Sequence, residues 1–187
     1  MAPSNDTDSV RDITELLETS GLADLGPNRR AETLPSARIT ALLNASYNKS
    51  SITTRSQELV RSIVLLWHDH LDESHSISQR IEDTDGSFVH GIMHRREPDY
   101  GNSSYWFRRV GSHVCFSEIA TRVAPILQPD SSELARRLLP NRTWDPFGFI
   151  EACRLVASGS LLEKDGHTLQ RVQKIESQVL LEYFLIP

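Results

Sequence analysis

The chain has 187 residues, of which 39% are hydrophobic, 7% aromatic and 24% charged, with 25 Asp and Glu against 20 Lys and Arg for a net charge of −5. That length suits one domain around a sizeable apolar core, and the composition excludes a disulfide-stapled miniprotein, a fibrous chain and an overall disordered one. The acidic balance argues against nucleic-acid binding, which needs a local basic face strong enough to overcome the global field.

The opening eight residues are polar and expected to be disordered. Val10 to Leu17 then carries Val10, Ile13, Leu16 and Leu17, a short helical stripe. Gly26-Pro27 and Pro35, set among charged residues, read as a linker. The domain division is therefore a flexible N-terminal segment with a short helix over 1–35 and a helical domain over 36–187.

Spacing predicts helices over Ala37 to Tyr47 and Thr53 to Trp67, the latter with so wide an apolar stripe that it belongs in the centre. Further helices are expected near Asp69 to Ile81, Gly86 to Arg96, Asn102 to Val110, Phe116 to Leu127, Ser131 to Leu139, Pro146 to Ala157 and Leu169 to Ile186. Asp145-Pro146 is a well-marked start, because Asp caps free amide groups and proline suits the first helical position. No stretch alternates apolar and polar residues as a strand would, and no Asn-Gly hairpin turn occurs. The fold class is all-α, a compact single-domain helical bundle.

Cys115 and Cys153, far apart in the chain, suit a reducing compartment. The start has no apolar segment of signal type, and no apolar run approaches spanning length, so a cytoplasmic protein without membrane contact is expected.

Five of the seven histidines fall between His68 and His94. On a helix, residues four apart are neighbours and residues seven apart return nearly to the same face. His68, Asp72 and His75 would line up in that way, and so would His90, His94 and Glu97, with Pro98 ending the second helix. Imidazoles and carboxylates facing each other from neighbouring helices are the donor set on which bundles hold zinc, manganese or iron. His90-Gly91-Ile92-Met93-His94 lacks the glutamate that follows the first histidine in zinc peptidases, so peptidase chemistry is discounted. If Arg95 and Arg108 point inward they need anionic partners. Glu97 and Asp99 could serve, or the arginines could clamp a carboxylate or phosphate on a substrate. Tyr105, Trp106 and Phe107 cannot all face one side of a helix, which leaves one free to wall a pocket. His113 and His167, the latter in an expected turn, have no patterned companion.

Three stretches taken together carry a resemblance: Ser74-His75-Ser76-Ile77-Ser78-Gln79, then His90 through Asp99, then Asn102-Ser103-Ser104-Tyr105-Trp106-Phe107-Arg108-Arg109. They resemble a family of uncharacterised bacterial and fungal proteins with a His-x-x-x-His-Arg-x-Glu-x-Asp helix end followed by Asn-x-x-Tyr-Trp-x-Arg-Arg. The resemblance spans about forty residues and implies a shared site without naming a reaction. Where many members have Gly-Asp after the glutamate, this chain has Pro98-Asp99. The same order is also similar to tetratricopeptide and Sel-type hairpins, but no second copy follows at a repeat period, which speaks against a solenoid.

The expectation is thus a small enzyme acting on a small anionic or oxygenated molecule, of isomerase, lyase, cyclase or hydrolase type. His75, His90, His94, Glu97 and Tyr105 are its catalytic candidates. Arg95, Arg108, Asn102, Trp106 and Gln79 are the substrate-binding candidates. His75, His90, His94 and Glu97 would ligate a divalent ion if one is bound, and without one the histidines would act as general acid and base. The rival from another class is a noncatalytic helical module in which the same cluster is a structural network. A homodimer is compatible with the wide apolar stripes.

Overall fold

Helix α3 (Thr54–Trp67) shows how the sequence builds the core. Thr53 caps it by accepting a hydrogen bond from Ser56 N, and Leu59, Val60, Ile63, Val64, Leu65, Leu66 and Trp67 are all buried. Each such side chain stabilises the fold by about 1.5–3 kcal/mol. A helix apolar over so much of its circumference has to be surrounded, and α2 (Ser36–Tyr47), α4 (Leu71–Ser78), α5 (Thr84–Arg96) and α10 (Glu163–Phe184) all pack on it. The structure is a computed structural model that describes residues 4–127 and 132–186. Its remaining helices are α1 (Ser4–Thr14), α6 (Tyr100–Val110), α7 (Cys115–Val123), α8 (Ser132–Leu138) and α9 (Pro146–Ala157), with short 3₁₀ turns at Glu15–Leu17, Ala124–Leu127 and Pro140–Arg142. No strand occurs among the described residues, so the fold is all-α as expected. None of their helices is long and apolar enough to cross a membrane.

Three expectations change. First, α1 begins at Ser4, inside the stretch expected to be disordered, and Ile13, Leu17, Ala23 and Leu25 are buried in the same core as α3. The segment before residue 35 is a strap laid across that core, although residues 1–3 lie outside the described ones. Second, the helix expected from Asp69 is shorter: α3 stops at Trp67, Asp69 turns the corner at φ 65°, and α4 starts at Leu71. His68 therefore does not line up with Asp72 and His75. It is buried under the strap, its Nε2 2.8 Å from Leu16 O and its Nδ1 accepting from Leu34 N at 3.2 Å. Third, α10 starts at Glu163, so His167 sits within a helix and not in a turn. The expected start of α8 at Ser131 lies outside the described residues.

α5 and α6 form an antiparallel hairpin joined by residues 97–99. Gly91 permits their close approach, since a Cβ there would come within 2.8 Å of the Phe107 ring, and Ser103 Oγ donates to Gly91 O at 2.7 Å. Pro98 sits at φ 31°, a value its ring opposes.

Every residue of α5 from Asp85 to Arg96 is buried. Its polar side chains leave in separate directions: His90 and His94 toward α4 and α6, Arg95 to Glu176 on α10, and Arg96 to the α3–α4 corner.

Candidate metal centre

The four-residue spacing of His90 and His94 stacks their rings on one face of α5, centroids 4.7 Å apart and Nε2 atoms 3.0 Å apart. α4 runs alongside and sets the His75 ring 4.8 Å from His90 and 5.2 Å from His94. One nitrogen from each of the three residues falls within 4.8 Å of the others.

α6 closes a second side. Asp99 caps it by accepting from Asn102 N at 3.1 Å, and this start brings Asn102 and, one turn later, Trp106 onto α5. The Trp106 ring stacks on His90 at 4.0 Å, and Asn102 Nδ2 lies 3.0 Å from His94 Nε2. Glu97 Oε2 lies 3.1 Å from His94 Nδ1. A carboxylate at that nitrogen holds the proton there and turns the lone pair of Nε2 toward His90, which is how second-sphere carboxylates orient metal-binding histidines.

Burial keeps both α5 histidines neutral. It pushes the His90 imidazole down to about 3, helped by the neighbouring His94 and His75. It also lowers His94, where Glu97 pulls the other way without prevailing. His90 Nδ1 is buried with no hydrogen-bond partner. Two imidazole nitrogens 3.0 Å apart have the separation that a single ion bound at about 2.0–2.1 Å to each would require.

The structure thus brings together His75, His90, His94, Glu97, Asn102 and Trp106. Tyr105 is half-exposed with its ring edge-on to Trp106, while Arg108 and Gln79 are exposed on α6 and just past α4. Arg95 departs from its expected role. Its side chain is fully buried and both terminal nitrogens go to Glu176, at 3.2 and 2.5 Å, so neither Glu97 nor Asp99 is its partner and no fork remains for a substrate.

His113, passed over in the sequence, has a companion after all. Its Nε2 donates to Asp85 at 2.8 Å and its Nδ1 accepts from Cys115 N, while Arg55 reaches the other oxygen of Asp85. Both ring nitrogens are therefore engaged, and the pair is a structural tie between α5 and the start of α7.

Compared with protein-family models, curated proteins and solved structures, the chain matches none. The site is therefore read from its own geometry.

One consequence is measurable without knowing any ligand. His68, His90 and His94 all bind protons less readily in the folded chain, chiefly through burial. The unfolded chain takes up these protons first. Their stabilisation is present above about pH 6.5 and is lost as the pH falls from there toward the folded values, at up to about 1.4 kcal/mol per pH unit for each histidine. Denaturant melts of chelator-treated protein between about pH 7.5 and pH 4.5 should show this decline. A flat profile over that range would contradict the neutral, buried state of these rings.

Proposed function

We propose that the chain is a small cytoplasmic enzyme that holds one divalent ion, zinc, manganese or iron, on His75, His90 and His94. The observation that carries this reading is the meeting of three imidazole nitrogens from two helices within 4.8 Å, with a carboxylate behind one of them. Such an ion polarises a substrate oxygen or activates water. Glu97 orients His94, Trp106 fixes the plane of His90, and Asn102 offers an amide beside the ligating edge of His94. A polar depression of about 430 Å³ lies beyond Glu97, lined also by Arg29, Asp69, His70, Asp72 and Glu73, but by none of the three histidines.

A second reading, the noncatalytic network, has its own support. Asn102 Nδ2 and His90 Nε2 both lie 3.0 Å from His94 Nε2, so hydrogen bonds alone could hold the three side chains.

Metal analysis of tag-free protein purified without chelator separates the two. The wild type is expected to carry about one ion per chain, or to gain a large rise in melting temperature on adding zinc, manganese or ferrous ion. The H90A/H94A double variant should do neither while still folding. A wild type that stays metal-free and unmoved by all three ions, with melting falling sharply in H90A and H94A alike, would replace the metal centre by the network.

A further inference from the structure

A second site lies away from the histidine cluster, between α7 and α8. α7 packs on α10 and α8 on α9. Between the two helices lies a cavity of about 840 Å³, within the range of small-molecule sites. Small side chains keep it open: Ala120 and Ala124 on one side and Ala135 on the other. Phe116, Leu139 and Trp144 give it an apolar lining. The same wall holds a buried donor with no partner, the indole Nε1–H of Trp144.

The rim is cationic. Arg136 and Arg142 line the cavity and enter no ion pair among the described residues, whereas their neighbours Arg137 and Arg122 are paired with Glu133 and with Glu118 and Glu182. In a chain of net charge −5, two unpaired guanidinium groups beside one apolar hollow favour an anion locally. Arg142 is held at φ 62° directly after Asn141 at φ 52°. A left-handed arginine costs about 1–3 kcal/mol, a strain that clusters at ligand clamps.

We propose that this cavity binds a small amphipathic organic anion, with an aryl or branched alkyl body between α7 and α8 and its carboxylate at Arg136 and Arg142. Planar guanidinium forks suit a carboxylate, and the apolar lining rewards the body. The site shares no lining residue with the histidine cluster, so it stands whether or not a metal binds there.

Isothermal titration calorimetry with 4-phenylbutyrate and its neutral counterpart 4-phenylbutanol tests the assignment. The wild type should bind the carboxylate saturably, one per chain, and more tightly than the alcohol. R136A/R142A, changed only at exposed positions, should lose roughly tenfold in carboxylate affinity and bind the alcohol as before. Ala120→Trp, which projects an indole into the space proposed for the apolar body, should weaken binding of both at least tenfold, and Ala135→Phe replaces it if circular dichroism shows the tryptophan variant unfolded. No saturable binding by the wild type, unchanged carboxylate affinity in the arginine variant, or undiminished binding by a folded Ala120→Trp or Ala135→Phe variant would each overturn the proposal.

Discussion

Glu176→Ala is expected to destabilise the protein by about 3–5 kcal/mol, because it strands the guanidinium of Arg95 in the core with no counter-charge. Both side chains of the pair are fully buried, and the Arg95 guanidinium also lies over the Phe149 ring at 4.0 Å. Burial alone would make Arg95 easier to deprotonate, but the facing carboxylate outweighs it and keeps the group charged. The loss in Glu176→Ala is therefore the cost of a desolvated, unpaired cation and not merely of two hydrogen bonds. The double variant Arg95→Met, Glu176→Leu removes both charges and replaces them with apolar volume, so it should recover most of the stability. Urea denaturation of the wild type, the single variant and the double variant measures all three. A loss below about 1 kcal/mol in Glu176→Ala would show that the pair is not desolvated as the structure has it.

Asp69→Ala should have a comparable effect, about 3–5 kcal/mol, by a different route. Asp69 Oδ2 accepts from the Nε and the backbone N–H of Arg30 at 2.9 and 3.0 Å, and Oδ1 accepts from Arg96 at 2.8 Å. Burial raises its pKa, yet these donors prevail and hold the carboxyl below the ordinary value. Arg30 also donates to the carbonyls of Trp67 and Gly21, and Arg96 to those of Leu66 and Gly26. One carboxylate thus fastens the strap, the end of α3 and the end of α5 together. Aspartate is also among the few non-glycine residues that tolerate φ 65°. Asp69→Asn keeps this tolerance and loses the charge, so it should fall between wild type and Asp69→Ala. Denaturant melts measure the loss, and limited proteolysis should cut residues 18–35 faster in the alanine variant. A strap equally protected in both proteins would show that the tie to Arg30 does not hold it.

Much of this architecture was legible from local pattern. The wide stripe of α3, the Asp145-Pro146 start of α9 and the repeat of His90 and His94 depend on residues within one or two turns of each other, and each appears where its pattern puts it. Asn102 and Trp106 also fall beside the histidines, because the hairpin between α5 and α6 is short.

What escaped were long-range electrostatic partners. Arg95 finds Glu176 81 positions along, Arg30 finds Asp69 39 along, and Asp85 finds His113 28 along. No helical period encodes those separations. A signal was nevertheless present: Glu176 lies four residues after Val172 and three before Val179, on the apolar stripe of α10, where a lone carboxylate requires a buried partner. The corner at Asp69 escaped for another reason. A left-handed aspartate held by two arginines ends α3 through tertiary contacts, while its neighbours favour helix.

The Arg95–Glu176 pair also bears on the order in which the chain acquires its final packing. Synthesis delivers α3, α4 and α5 while Glu176 is still unmade, so during that interval Arg95 must stay hydrated and its side of α5 cannot be sealed. Without α10, Arg95 has no buried counter-charge, so that flank of α5 cannot be dehydrated without leaving an unpaired cation. A chain truncated before α10 would therefore present α5 with one wet flank.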